Sequence, residues 1–168
     1  MKKNRFLFLL VATVLSVLLK PATSLAQNNK DSVKIAAVTA LVNNQEYTFK
    51  AQSAVPLSGR LRQLNSDYGL QVSKAAVVSQ LPYFGRAYSA PLNPQDGGIQ
   101  FTSKDFDYTI SNKKKGGWNI SIKPKDSKDV TQMQLSIFNN GTASLQVTSN
   151  NRQSISFNGY ITASAASR

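Results

Sequence analysis

The chain offers few side chains that could carry out catalysis, because its 168 residues include no histidine and no cysteine. Serine or cysteine nucleophiles activated by histidine, and metal sites built on histidine or cysteine, are therefore excluded within one chain. Neither a glycine-rich phosphate loop of the GxxxxGK[ST] type nor a GxGxxG dinucleotide fingerprint occurs. The chemistry that remains is that of paired carboxylates or of a serine–lysine pair.

Asp105 and Asp107 are the acidic residues best spaced for acid–base chemistry. They lie two residues apart at the start of a predicted strand, so their side chains should point to the same face. Two carboxylates about 5–10 Å apart carry out glycoside hydrolysis, which makes a small carbohydrate-acting enzyme one hypothesis. Acids on the polar face of an edge strand are more often simply solvated, and we favour a non-catalytic role. Adding Asp96 gives no EF-hand spacing, so we predict no metal and no cofactor.

The segment LPYFGRAY holds three aromatic rings around one arginine. Tyr83, Phe84 and Tyr88 lie within six residues of each other. Beside the guanidinium of Arg86, such rings suit sugars, aromatic ligands or a partner protein. Alternatively, the rings close one end of the sheet, and Arg86 pairs with an acid such as Asp67, since an unpaired buried charge is costly. These three rings and Arg86 are our candidate ligand-binding residues.

The N-terminus has the three-part composition of a secretory signal peptide. Met1–Arg5 is basic, Phe6–Leu19 carries no charge, and small residues follow up to Ala26. We predict a signal peptide over residues 1–26 and a single β-rich domain over residues 27–168. The apolar run is shorter than the roughly 20 residues of a membrane span, although an uncleaved anchor is the alternative. We therefore expect a periplasmic or secreted protein without a stable membrane span after cleavage.

The predicted mature chain is basic, with 16 basic and 8 acidic residues and a net charge of +8. This charge favours anionic partners, although it would also serve solubility. Because export separates the protein from nucleic acid, we expect an anionic glycan, a lipid head group or an envelope protein instead. Lys113–Lys115, at a predicted hairpin tip, could contact such a partner or be a solvated turn that prevents aggregation.

The elements that position these residues follow from the hydrophobic pattern. Apolar residues at helical spacing predict a helix over about residues 31–42, and period-two alternation predicts strands over about residues 47–162. The prolines and glycines of residues 82–98 predict a long shaped loop. We expect a mainly β fold, α+β at the margin: an antiparallel meander forming a sandwich or open barrel with the N-terminal helix packed on it. A single curved sheet around the helix is the alternative.

Several short motifs spread over residues 52–161 also carry a family resemblance. They are Gln52-Ser53-Ala54 with Pro56 and Ser58-Gly59, Ser66-Asp67-Tyr68, LPYFGRAY from Leu81 to Tyr88, Gly97-Gly98-Ile99, and Asn151 to Ser156. With these motifs the sequence resembles domain-of-unknown-function family 4251, found in exported proteins of Bacteroidetes. The resemblance implies a bacterial, periplasmic protein, and it implies no activity and no catalytic residues. Together these observations favour an exported, non-catalytic binding or interaction domain of the cell envelope, with the carbohydrate-acting enzyme and a structural envelope protein as alternatives.

Overall fold

The computed structural model describes residues 24–88 and 97–164, which form one helix and ten strands. Most of the predicted signal peptide lies outside these residues. The elements are α1 (Ser24–Asn44), β1 (Tyr47–Pro56), β2 (Arg62–Gln63), β3 (Gly69–Val72), β4 (Val77–Leu81), β5 (Ile99–Ser103), β6 (Phe106–Asn112), β7 (Trp118–Pro124), β8 (Val130–Ile137), β9 (Thr142–Ser149) and β10 (Ile155–Thr162).

Helix α1 is longer at its N-terminus than the predicted helix over residues 31–42. It begins at Ser24 because residues 24–44 contain neither proline nor glycine, and their polar members are compatible with a helix. It ends in a Schellman motif, in which Gln45 N–H donates to Val42 O and Glu46 N–H donates to Leu41 O. Gln45 adopts the left-handed conformation of this motif, with φ of 55°. In the described part of the chain, no helix is long and apolar enough to cross a bilayer.

The strands form one antiparallel sheet made of two consecutive meanders. The sheet order is β5-β4-β3-β1-β10-β9-β8-β7-β6, and β2 pairs beside β1. One meander comprises β1, β3, β4 and β5, and the other runs from β6 to β10. They join through a ladder between β1 and β10 that runs from Thr48–Thr162 to Pro56–Ile155.

The sheet curls into a nearly closed barrel. β5 and β6 lie at opposite ends of the strand order, yet only Lys104 and Asp105 connect them. The two edges must therefore meet at a common corner. Asp126 holds this corner, because its Oδ2 accepts the backbone N–H groups of Lys104 (2.8 Å) and Asp105 (3.3 Å). The predicted mainly β fold is confirmed, and of the two expected forms the sheet takes the barrel-like one.

Alternate side chains of the strands fill the interior of the barrel. The hydroxyl groups of Tyr47 on β1 and Tyr108 on β6 approach to 3.3 Å, although four strands separate β1 from β6 in the sheet order. Burial raises the pKa of both phenols. Val38 and Val42 of α1 join the core, and Val38 packs near Gly141 in the β8–β9 turn. The part of the helix from Lys34 to Asn44 thus packs on one end of the barrel, as predicted for the N-terminal helix.

Candidate functional site

Three segments meet at the end of the barrel opposite α1. The loop after β1 together with the first residue of β2 covers Leu57–Arg62, the segment after β4 covers Tyr83–Tyr88, and the connection before β10 covers Asn151–Gln153. We call this surface the arginine end, because it holds all four arginines of the described residues: Arg60, Arg62, Arg86 and Arg152. Their side chains differ in exposure and in the groups that they contact.

The segment Tyr83–Tyr88 is fixed to Asn151–Gln153 by backbone hydrogen bonds. Tyr88 N–H donates to Asn151 O at 2.8 Å, and Gln153 N–H donates to Arg86 O at 3.0 Å. Between these two bonds, Ala87 and Arg152 form an isolated antiparallel bridge. The first residues of the predicted loop over residues 82–98 are therefore held in a defined shape, while the rest of that loop lies partly outside the described residues.

Tyr83 has a structural role within this segment. Its hydroxyl lies 2.8 Å from Arg86 O and 2.9 Å from Gln153 O, and its one proton can be donated to either carbonyl. The ring is half-buried against the core, and burial raises the pKa of the phenol against the opposing charge of Arg152. A Cβ at Gly85 would lie 2.5 Å from this hydroxyl, so the Tyr83 side chain can occupy this position because residue 85 is glycine. The Tyr83 ring therefore packs against the core at this end of the barrel.

Arg152 fastens three segments together. Its Nε lies 3.1 Å from Asp129 Oδ2 at the start of β8, and its Nη1 donates to Gly98 O at 2.9 Å before β5. Its guanidinium carbon also lies 5.2 Å from the centroid of the Tyr83 ring. The side chain is 14% exposed and that of Asp129 is 30% exposed. Sequence reasoning missed this pair, and the signal in the sequence was Arg152 itself, inside one of the motifs that carry the family resemblance.

Arg86 does not make the internal ion pair considered from the sequence. Asp67 instead pairs with Lys50, whose Nζ lies 2.6 Å from Asp67 Oδ1. Arg86 is exposed, and no acidic side chain within residues 24–88 and 97–164 pairs with it. The arginine that makes an internal ion pair is Arg152, so the guanidinium of Arg86 is available at the surface.

The remaining two rings of the candidate set point outward. Phe84 is 37% exposed and Tyr88 is 72% exposed. The guanidinium of Arg62 lies 4.9 Å from the centroid of the Phe84 ring, a cation–π distance that joins the loop after β1 to the segment after β4. Ser58 Oγ also donates to Gln153 Oε1 at 3.1 Å. The structure therefore brings Phe84, Arg86 and Tyr88 onto one exposed surface and places Tyr83 beneath it.

Asp105 and Asp107 lie close together, and Asp107 also lines an open depression of about 610 Å³ beside β6, β7 and β8. Lys125 Nζ lies 2.6 Å from Asp107 Oδ1 and 3.9 Å from Asp105 Oδ1. Both carboxylates are more than half exposed. Their shared direction agrees with the two-residue spacing, and the hydrogen bond that Lys125 donates to Asp107 raises the pKa of Lys125. The two carboxylates thus form a largely exposed ion-pair cluster with Lys125.

The lysine hairpin Lys113–Lys115 lies at the tip between β6 and β7, near the helix-covered end. Lys113 Nζ lies 4.1 Å from the centroid of the Phe138 ring, which is itself exposed. Of the described residues, no three histidine, cysteine, aspartate or glutamate side chains are grouped as metal ligands. Asp96, which was considered together with Asp105 and Asp107 for a calcium site, lies outside the described residues.

The fold and these contacts define a small barrel-like antiparallel domain with one helix-covered end and one arginine-rich end. The family model "Domain of unknown function (DUF4251)" matches residues 29–161. The chain belongs to this family, and the resemblance noted in the sequence is confirmed.

A solved structure shows the same fold. The crystal structure of a DUF4251 family protein from Bacteroides eggerthii DSM 20697 superposes with a TM-score of 0.59 and 18% sequence identity, covering 80% of this chain and 91% of that chain. At this identity the likeness concerns the fold alone. No curated protein matches the chain.

Proposed function

We propose that this protein is an exported, non-catalytic binding domain of the bacterial cell envelope, whose arginine end binds an anionic group. The observation that carries the proposal is the set of three guanidinium groups at that end, those of Arg60, Arg62 and Arg86. None of them has an acidic partner within the described ranges. Guanidinium groups bind carboxylate, sulfate and phosphate oxygens in a forked geometry that lysine does not provide.

The exposed rings support binding rather than mere solubility. Phe84 and Tyr88 lie on a loop that is fixed by hydrogen bonds to Asn151–Gln153, so that a ligand would meet an ordered surface. Rigid placement lowers the entropy that binding must otherwise overcome. Partners with this chemistry are an anionic glycan, a lipid head group or an acidic face of an envelope protein.

Export and location in the periplasm or outside the cell are part of the proposal. They are supported by the basic start, apolar run and small residues of residues 1–26. The net charge of +8 on residues 27–168 would draw anionic partners over distances of about a Debye length.

The test compares two variants with the same change in net charge. The arginine variant carries Arg60→Gln, Arg62→Gln and Arg86→Gln, and the lysine variant carries glutamine at each position of Lys113–Lys115. Affinity for dextran sulfate and for phosphatidylglycerol vesicles is measured by titration at several salt concentrations. We expect the arginine variant to lose at least about tenfold more affinity than the lysine variant for one of the two probes, because guanidinium forks bind anions specifically. Equal losses for both variants on both probes would mean that only net charge matters.

A further inference from the structure

Exposed apolar side chains are concentrated at the arginine end. Of the nine large apolar side chains that are exposed in the described residues, four lie there: Leu57, Leu61, Phe84 and Tyr88. Leu57 and Tyr88 are each 72% exposed. Single exposed apolar residues need no explanation, but a group of them on one surface marks an interaction site.

The apolar and cationic groups of this surface alternate. Arg60 lies between Leu57 and Leu61 in the loop after β1, and Arg62 stacks on Phe84. The hydrogen bond between Ser58 and Gln153 holds this loop against the connection before β10. Apolar side chains at loop tips therefore share a surface with three guanidinium groups. A ligand that matches this surface must carry apolar and anionic groups within a few ångströms of each other.

We infer that the arginine end docks on a lipid surface bearing anionic head groups, with Leu57 and Leu61 entering the boundary between head groups and acyl chains. The inference rests on the proposed function and names the class of its ligand. Lipid phosphates match the guanidinium groups, and apolar side chains gain free energy in the interfacial layer. A polysaccharide could stack on Phe84 and Tyr88, but its hydrated surface gives two aliphatic leucine side chains nothing to bury against.

The lysine hairpin provides a contrast within the same molecule. It carries three cations that are adjacent in sequence, and the arginine end carries three exposed arginines. The exposed apolar side chain shown in contact with the hairpin is that of Phe138, stacked under Lys113. Electrostatic attraction to an anionic surface alone would act on both places, whereas insertion of apolar groups is expected only at the arginine end.

The experiment adds a leucine variant, Leu57→Ser with Leu61→Ser, to the arginine and lysine variants. Its matched control is Ile110→Ser with Phe138→Ser, which removes two exposed apolar side chains from other surfaces. The protein is purified in the form that the cells produce. It is then cosedimented with vesicles of phosphatidylcholine alone or of phosphatidylcholine mixed with phosphatidylglycerol. Dextran sulfate binding is measured in parallel, and circular dichroism confirms that each variant is folded.

We expect binding to the mixed vesicles, weak binding to phosphatidylcholine alone, and a loss of about fivefold per arginine in the arginine variant. The leucine variant should lose at least about tenfold in vesicle affinity, from lost apolar burial, while its dextran sulfate binding stays unchanged. The control pair should retain vesicle binding. If the leucine variant binds mixed vesicles as the parent does, the inference is overturned even where the arginine variant still fails to bind dextran sulfate. Equal behaviour of the arginine and lysine variants on both probes would instead overturn the proposed function.

Discussion

Replacing Arg152 by methionine tests whether the ion pair with Asp129 holds the arginine end together. The substitution keeps an unbranched side chain of similar reach, but it removes the charge and the hydrogen bond to Gly98 O. It also leaves the Asp129 carboxylate, 30% exposed, without the guanidinium that lies 3.1 Å from it. Asp129 Oδ1 is buried and has no hydrogen-bond partner among the described residues. The substitution therefore removes the ion-pair partner of a carboxylate that is already poorly solvated.

The expected cost is about 3 kcal/mol. Removing one partner of a buried ion pair costs about 3–5 kcal/mol, and the partial exposure of this pair places it at the low end of that range. For a domain of this size, 1 kcal/mol lowers the melting temperature by about 3 °C. The Arg152→Met variant should then melt about 10 °C below the parent.

Urea denaturation and thermal melting measure the effect, with Arg86→Met as the matched control. That control makes the same chemical change at an exposed arginine, and we expect it to alter the free energy of unfolding by less than about 0.5 kcal/mol. Asp129→Asn added to Arg152→Met should recover part of the lost stability, because it removes the unpaired charge. Equal effects of Arg152→Met and Arg86→Met would refute the assignment of Arg152 as the structural arginine.

Three further predictions concern the fold. Tyr108→Phe should lower the free energy of unfolding by about 1–2 kcal/mol, since it leaves the buried hydroxyl of Tyr47 without its partner; adding Tyr47→Phe should recover part of this loss in urea denaturation, and a purely additive double variant would contradict the pairing. Gln45→Gly should stabilise the protein by up to about 1 kcal/mol, because glycine adopts the left-handed conformation at φ 55° more readily; a lower melting temperature would argue against this helix end. Hydrogen bonds to the corner between β5 and β6 hold the pKa of Asp126 below its ordinary value of 3.8, so the charged carboxylate stabilises the corner above that value and loses its effect as the pH falls through the lower folded pKa. Asp126→Asn should therefore weaken the decline of stability between about pH 5 and pH 2, and an unchanged profile would show that other acids govern it.

The fold could be predicted from the sequence to the level of class and strand positions. Period-two alternation marks β7 to β10 because each of these strands has one buried and one more exposed face. Closure of the barrel could not be predicted, because it depends on the pairing of β1 with β10 across more than a hundred residues. The helix start was wrong because polar residues such as Gln27 and Lys30 have no breaker among them and remain helical.

The candidate site could be predicted only in part. The segment Tyr83–Tyr88 was recognisable because aromatic and arginine residues are adjacent in sequence. Arg60 and Arg62 join it in space from a different loop, and no local pattern indicates that contact. The different environments of Arg86 and Arg152 could not be predicted either, since nothing in the sequence around the two arginines shows that Arg152 is the buried one.

The two-meander construction of the sheet has a consequence for how the chain folds. Each meander pairs strands that are close to each other in the strand sequence, so its ladders join nearby parts of the chain, whereas the ladder between β1 and β10 joins the first and last strands. That ladder carries a large entropic cost of loop closure and should form late. Until β10 is present, β1 lacks its partner on one side and the barrel stays open. A chain built this way can complete its barrel only after β10 has been synthesised and is free to pair with β1.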